Sequence, residues 1–556
     1  MTTLAPTALA AALATARAQL DAAAPDHGAD LGPAFDAALP RATEVVARRL
    51  LGAAYREDLA DVRGTLGRLA DGVHEHAFDR AEPHLVRDPV GVLTELPERL
   101  GSRDLAVELA DAVVKLALAF ARPAPAPPAG LSADERAAYL ERLSTDGHNL
   151  HPCGRTRLGW TMADALAYDL EAPAAALGFV AVRRDLHIGD DVGALLGIAP
   201  PSSGYAVQPV HAWQLDRIVR GRYPDLVASR ALVPLDGVTV GATPTAALRT
   251  LLLDRLPGQP SRYLKVSLDI QVTSTRRTIS VASTRNGPAL STLLHRLLAG
   301  EPRVLLLAEE AGAAGLIGAR HRDLAAIVRR GLDGRLERGE QAVPGGALYA
   351  TMPGSAQPLV ADLVDRYATG RRLADRPVAA AAFLAEYARL LLPPLLRLAT
   401  RHGIAIEAHL QNCVPTFRHG VPHRLALRDF AGLRVLRSRL AGSGHALTLW
   451  PESVIGTGDA DVMRAKLAYT ALQAHLGELV VRLVDSHCLD EDAAWRSVRE
   501  VVDEVYDELR GEPAVAGDAA ADHAFLTAPL VPHKALVRMR VCGHGDLYVP
   551  VRNPLR

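Results

Sequence analysis

The chain has 556 residues, is 49% hydrophobic and 22% charged, and carries a formal net charge of -1. That length exceeds one ordinary hydrophobic core, so about two to four domains are expected, and the balanced charge without a basic stripe excludes an ordinary nucleic-acid binder. Its four cysteines, Cys153, Cys413, Cys488 and Cys542, form no CxxC pair and no disulfide framework.

The N-terminal stretch MTTLAPTALAAALATARAQL lacks the basic start and apolar core of a secretion signal. No apolar run reaches the ~18 residues that cross a bilayer. A cytoplasmic protein without membrane contact is expected. Ala and Leu recur at helical spacing through residue 121, which predicts a helical bundle. His74-Glu-His76 has no third ligand nearby and reads as a solvated helix face. RPAPAPPAG (Arg122–Gly130) cannot continue a helix and reads as a stiff connector. Ser132-Ala-Asp-Glu135 has capping-box spacing and predicts a new helix start.

From about Gly147 to Arg371 the pattern is mixed α/β, with strand-like GYAVQPVHAWQ, YLKVSLDIQVT and PRVLLLAEE. Gly312-x-x-Gly315-x-x-Gly318 has the wrong spacing for a dinucleotide turn and reads as a plain loop or helix start. A break is expected near Thr369–Pro377, after which long helical runs return. The predicted units are 1–130, 131–372 and 373–556.

Within these units several segments carry chemistry. GHNLHPCGRTRLGW (Gly147–Trp160) reads as a loop with two histidines, Arg155 and Arg157. VHAWQLD (Val210–Asp216) groups a His, a Trp and a Gln. In Tyr263–Ser280, apolar residues alternate with Lys265, Ser267, Asp269, Gln271 and Thr273. If that strand is regular, Lys265 and Thr273 share a face. With Ser274, Arg276 and Arg277 the surface would suit a polyanion, or be an ordinary exposed sheet face. In HGIAIEAHLQNCVP (His402–Pro415), Ile404, Ile406, Ala408 and Leu410 alternate with Glu407, His409 and Gln411, the period of a half-buried strand. Arg428-Asp429-Phe430 follows, so that Asp429 could meet Glu407, Gln411 or Asn412 across a hairpin. Such an oxygen cluster suits Mg²⁺. Only four of the 62 Lys+Arg are lysines, Lys115, Lys265, Lys466 and Lys534; a lysine that remains marks either a place where a compact ammonium is wanted or one left by chance. No P-loop, HExxH or GxSxG pattern occurs; phosphate chemistry would rest on side chains.

Together, in this order, these segments resemble the siderophore synthetases independent of non-ribosomal peptide synthetases, the IucA/IucC-like (aerobactin synthetase) family. His151-Pro152 through Gly159, Val210–Gln214, Pro244–Thr250, Lys265–Thr278, Glu407–Asn412 and Arg428–Phe430 carry the resemblance, over about residues 145–556. It implies an α+β cupped hand of thumb, fingers and palm, with ATP on the palm side, and a homodimer. It implies adenylation of a carboxylic acid by ATP with Mg²⁺, then condensation with an amine, hydroxylamine or alcohol. Carried over position by position, it gives His409 and Arg277 the phosphates and the reacting carboxylate. Lys265 and Ser274 would take ATP, and Gln411 would orient the nucleotide. Glu407, Asn412 and Asp429 would hold Mg²⁺. His148, His151, Arg249, Thr273 and Lys534 would meet the acid. Arg155, Ala212 and Ala247 depart from the family's Lys, Pro and Ser, and the last puts unmodified citrate in question. The same chemistry in another natural-product pathway, or a non-catalytic binding homologue, are the alternative readings.

Overall fold

The computed structural model describes residues 7–27, 30–122, 124–254, 259–316, 322–451, 453–543 and 545–556. The Ala/Leu-rich N-terminal segments are helices, chiefly Ala8–His27, Leu31–Arg56 and Arg103–Phe120. Their apolar stripes close on one another. Phe35, Val46, Leu50, Leu109, Val113 and Leu116 are buried in one cluster. His74 and His76 are not on a helix. They lie in a hairpin of Val73–His76 with Arg80–Pro83. Phe78 and Asp79 both take positive φ in its turn, a conformation no helix can run through. His76 is buried, with Nδ1 2.8 Å from Glu491 Oε2.

The Pro-rich connector carries no regular element across 124–128. The capping box that follows is complete. The Glu135 amide donates to Ser132 Oγ at 3.3 Å, and the Ser132 amide donates to Glu135 Oε2 at 2.8 Å.

The centre is a nine-stranded sheet, antiparallel throughout, in the order His187–Gly189, Glu309–Gly315, Ala325–Arg330, Arg262–Val266, Thr250–Leu253, Val240–Pro244, Ala175–Arg183 and Tyr205–His211, with Leu232–Pro234 also on Ala175–Arg183. One face is apolar: Phe179, Val207, Leu251, Leu264 and Val266 share a core. The opposite face carries Tyr263 and Lys265. Gly312 and Gly315 lie in a strand of this sheet, not in a loop or helix start; Gly318 lies outside the described residues.

The C-terminal part is built on the helix Arg376–His402. Asp375 caps it, accepting from the Val378 amide at 3.0 Å, and Gly403 ends it at φ +67°. By composition it is long and apolar enough to cross a membrane. It packs against the helix Glu491–Arg510 and the strand Val421–Leu427, and Phe383, Leu391 and Leu395 are in the core. A four-stranded sheet joins Val304–Leu306, Val421–Leu427, Cys413–Arg418 and Glu340–Ala342. The tight turn between Cys413–Arg418 and Val421–Leu427 uses positive φ at His419 and Gly420. A Cβ on Gly420 would stand 2.6 Å from the Tyr367 nitrogen, so only glycine fits there. The α+β architecture is as the sequence predicts.

Candidate active site

The segment Ile404–Asn412 departs from the predicted strand. Only Ile404–Ala405 pair in a sheet, with Arg434–Val435, and Leu410–Asn412 form a 3-10 turn. The two-residue rhythm survives as burial: Ile404, Ile406, Ala408 and Leu410 are buried, while Glu407, His409 and Gln411 are open to varying degrees. Side chains replace the missing ladder. His475 Nδ1 lies 3.0 Å from Ala408 O and its Nε2 lies 2.7 Å from Tyr387 Oη. A carbonyl only accepts, so Nδ1 carries the proton and Nε2 accepts from the tyrosine. Asn412 Nδ2 donates to Glu407 O at 3.1 Å. His475 lies in a π-helical stretch, Ala468–Leu476, of the kind that often marks functional sites.

Glu407 accepts from Lys466 Nζ at 2.9 Å, and His409 Nε2 is 3.9 Å from its other oxygen. Burial alone would raise the Glu407 pKa. Lys466, His409 and Lys534 outweigh it and hold the carboxyl below its ordinary value. Burial lowers His409 despite Glu407, so the imidazole is mostly neutral near pH 7. A Cβ on Gly432 would stand 1.8 Å from Glu407 Oε2. Gly432→Ala is therefore expected to turn Glu407 off Lys466 and lower stability by about 1–3 kcal/mol. A thermal melt beside the wild type would check it.

Lys265 and Arg329 come from adjacent strands on one sheet face, Lys265 opposite Ile327 and Arg329 opposite Tyr263. Asp429 sits between them at 3.3 Å from each, its backbone at φ +61°. Burial opposes its charge, but Lys265, Arg329 and Arg428 hold its pKa far below the carboxylate range. Its neighbours fix it. Arg428 Nη1 donates to Glu141 Oε1 at 2.6 Å and its Nε to Gln411 O at 2.9 Å, while Phe430 is fully buried. Beside them Glu309 is buried with neither oxygen hydrogen-bonded among the described residues, and burial raises its pKa to about 7.

The predicted strand over Leu264–Thr273 breaks at Ser267, whose amide donates to Ala325 O and whose hydroxyl donates to Arg322 O. Leu268–Val272 then turns into a separate hairpin with Thr275–Arg277. Lys265 and Thr273 therefore do not share a face. Thr273 stands in the turn at φ +57°, with Ser274 beside it. Arg277 Nη2 donates to Thr273 Oγ1 at 3.2 Å, and Arg249 Nη1 donates to the carbonyls of Arg277 and Thr278 at 2.9 Å. Neither guanidinium has a carboxylate within 4.0 Å among the described residues, and Arg277 Nε is buried without a partner. Burial, then the like charges of Arg249 and Arg157, lowers the Arg277 pKa to about 9.

The loop Gly147–Trp160 supplies two imidazoles. His148 and His151 accept at Nδ1 from the Leu150 and Cys153 amides, at 3.2 and 3.0 Å. Each Nε2 is then left as a donor; that of His151 is buried and unpaired. His148 is exposed at the surface, yet desolvation by the atoms around it, then His409, Arg49 and Arg277, keeps its pKa well below the ordinary value. Arg155 does not face the cleft: it pairs with Asp169 at 3.2 Å and Glu171 at 2.9 Å in the protein interior. His211 and Trp213 are buried around Trp160. Lys534 is on the rim, 2.8 Å from Asp546.

His148, His151, Arg249, Arg277, Glu407, His409, Lys265 and Asp429 thus form one group of polar side chains, each close enough to another to shift its titration. Lys466, Arg329 and Glu309 were not predicted as site residues. Lysine rarity was the available signal for Lys466; Arg329 and Glu309 carry no comparable signal. The carboxylates Glu407 and Asp429 each have a protein cation as partner. Among the described residues the one His/Asp/Glu trio whose ligand atoms converge, Glu337, Glu340 and His423, lies elsewhere and is bound to Arg418 and Arg424.

Residues 136–350 match the IucA / IucC family, and residues 381–549 match the family described as ferric iron reductase FhuF-like transporter. The chain is 25% identical over 557 residues to a D-ornithine–citrate ligase of Staphylococcus aureus, covering 86% of this chain and 84% of that one. It is 26% identical over 454 residues to staphyloferrin A synthase of the same organism, covering 75% and 72%. Its fold matches the petrobactin biosynthesis protein AsbB of Bacillus anthracis with a TM-score of 0.75 at 20% identity, over 93% of this chain and 96% of that one. It matches the ATP-bound aerobactin synthetase IucA of Klebsiella pneumoniae with a TM-score of 0.69 at 18% identity, over 87% and 92%. The protein is an enzyme of the ligase class. Within that class it resembles the IucA / IucC family, whose model it matches over residues 136–350.

Proposed function

We propose that the protein is an ATP-dependent, AMP-forming synthetase of siderophore biosynthesis that joins a carboxylic acid of the citrate class to an amine, hydroxylamine or alcohol. The carboxylate oxygen attacks the α-phosphorus of ATP and pyrophosphate leaves. The nucleophile then attacks the acyl carbon, AMP leaves, and the nucleophile's proton passes to solvent or a neutral acceptor. The observation that carries the reading is the pair Arg249 and Arg277, two guanidinium groups without a counter-ion among the described residues, beside donor-ready His148 and His151. An uncompensated buried charge is costly unless an anion completes it. Attack of one anion on another needs such charge aimed at the developing phosphorane.

Lys265 and Ser274 take phosphate oxygens, and Arg277 and His409 bridge phosphate and carboxylate. His148, His151, Arg249, Thr273 and Lys534 orient the acid, and Gln411 the nucleotide. Mg²⁺ accompanies ATP. Glu407, Asn412 and Asp429 are the residues we assign to it, and Glu309, with its unpartnered oxygens, is the carboxylate free to join them. The metal would neutralise phosphate charge. The neutral state of His409 lets it donate one hydrogen bond without adding a charge.

The test is pyrophosphate release by the purified protein with ATP, Mg²⁺ and excess hydroxylamine, against citrate, a citrate monoamide, 2-oxoglutarate, succinate and a succinylated hydroxydiamine. Release with one acid, reduced at least about 100-fold by His409→Ala, is the expected result. Silence across the panel together with no Mg·ATP binding in calorimetry would end the enzyme reading.

A further inference from the structure

The helix Arg103–Phe120 precedes the stretch matched to the IucA / IucC family, residues 136–350. Most of it is apolar, and Leu109, Val113 and Leu116 pack in the N-terminal core. Glu108, Asp111 and Lys115 interrupt that pattern at i, i+3 and i+7, so they form one polar stripe along the helix. Glu108 is 2% exposed and Lys115 4%. Charges buried this deeply are costly unless each is paired and hydrogen-bonded. The stripe meets that condition chiefly with partners from outside the helical bundle.

Asp111 accepts from the Arg157 amide at 2.5 Å, and Lys115 Nζ pairs with Asp111 at 3.5 Å and donates to Trp160 O at 3.0 Å. Both residues thus fasten the far end of the loop Gly147–Trp160. Glu108 holds more. Its carbonyl accepts from Thr156 Oγ1 at 2.8 Å. Its Oε2 faces Cys153 Sγ at 3.9 Å, and burial with the Glu108 charge keeps that thiol protonated, so the sulfur is the donor. The Cys153 amide is the group that binds His151 Nδ1 at 3.0 Å. Glu108 Oε1 accepts from Gln271 Nε2 at 2.6 Å, and the same nitrogen donates to Thr273 O at 3.2 Å. Gln271 belongs to the hairpin strand Leu268–Val272, whose return strand ends on Arg277. Arg540, from the C-terminal part, grips the carboxylate with both arms of its fork, Nε lying 2.9 Å from Oε2 and Nη2 on Oε1.

We propose that Glu108 is a positioning residue for the acid being activated: by holding Gln271 with one oxygen and Cys153 with the other, it fixes the Thr273–Arg277 hairpin against the His148–His151 loop. The proposal rests on the adenylation reading above, which gives the acid to residues of both elements. The elements face each other, since the Arg277 charge is felt at His148 and His151. Their backbones meet where the Gln271 amide donates to Leu158 O at 2.9 Å. That bond sets where the hairpin starts but not its turn, where Thr273 stands at φ +57°. The turn is set by the Gln271 side chain, which reaches the Thr273 carbonyl while anchored on Glu108. A shift of about 1 Å in such a frame costs up to about 100-fold in rate. Glu108 itself touches none of the side chains assigned to the acid, so it acts through Gln271 and Cys153.

The experiment is pyrophosphate release by the full chain with Mg·ATP, hydroxylamine and whichever acid of the panel above the wild type uses, with the KM of the acid and of Mg·ATP read separately. Gln271 is only half-buried, so its variants are the first to make. Gln271→Ala is expected to raise the KM of the acid about tenfold and to leave that of Mg·ATP within about twofold. Gln271→Lys keeps a donor for Glu108 and should recover most of the loss. Gln271→Glu keeps the shape but sets a second carboxylate against Glu108, and should be the worst of the three. Glu108→Gln should give the same split, and adding Gln271→Ala to it should raise the acid KM by less than about threefold more, because the two act as one unit. A thermal melt shows whether Glu108→Gln folds without its charge on Arg540; if it does not, the order of the Gln271 variants decides. An acid KM unmoved in the Gln271 variants, a KM for Mg·ATP that rises in step with it, or a Lys variant no better than the Glu variant overturns the proposal. A wild type silent with every acid is failure of the adenylation reading and takes this proposal with it, whereas an active wild type with unmoved variants is failure of this proposal alone.

Discussion

Arg277→Gln is expected to lower kcat/KM for acid-dependent pyrophosphate release about 10²–10³-fold while raising the melting temperature by about 1–3 °C. The opposite signs follow from one observation. Arg277 has no carboxylate within 4.0 Å among the described residues, its Nε is buried without a partner, and burial with two like charges lowers its pKa to about 9. A lowered arginine pKa means that the folded protein disfavours the charged form. The cost is present at every pH below that folded value, including neutral pH, and glutamine removes it. Stability is traded for a charge that is useful only when the cleft is filled. Kinetics and calorimetric melting on one preparation check both halves. A lower melting temperature with activity intact would show that Arg277 is structural.

The same logic separates what the sequence could disclose from what it could not. Alternation in Ile404–Gln411 correctly gives which side chains are buried, because burial follows side-chain direction. It does not give a strand, because His475 and Asn412, one of them distant in sequence, take the backbone carbonyls that a ladder would have used. Lys265 and Thr273 are separated by the break at Ser267, which depends on the Arg322 carbonyl arriving from another part of the chain. His74-Glu-His76, inside a stretch that reads as helical, is taken for a helix face; two left-handed turn residues make it a hairpin instead.

Ion pairs are the least legible part. Arg155 and Arg157 stand beside motif histidines, yet Arg155 is occupied by Asp169 and Glu171, and Arg157 has its Nε 3.2 Å from Asp169. Arg249 and Arg277 have no carboxylate within ion-pair distance among the described residues. Nothing local distinguishes the two pairs of arginines, since the lack of a counter-ion belongs to the assembled structure. Lysine scarcity was the better guide. Each of the four lysines has a carboxylate partner, and Lys265, Lys466 and Lys534 all act on Asp429 or Glu407.

Asp429→Ala should be the most damaging single change in the cleft, costing about 3–5 kcal/mol of stability and nearly all activity. It strands Lys265 and Arg329, both 3.3 Å from the carboxylate, with Arg329 Nε and Nη2 already lacking partners. The pH dependence follows from the depressed pKa of Asp429. A carboxyl whose folded pKa is lowered contributes stability that is present above its unfolded value, near 4, and is lost as pH falls through the folded value. The folded value lies far into acid. The wild-type-minus-variant difference in unfolding free energy should therefore stay constant from about pH 5 to pH 8. Asp429→Asn keeps the shape and one acceptor oxygen, and should recover part of the stability but little of the activity, because Lys265 would still lack its counter-charge. Denaturant unfolding at several pH values checks the plateau. A difference that grows steadily between pH 5 and pH 8 would place the titrating group elsewhere; Glu309, whose pKa burial raises to about 7, would then be the group to replace.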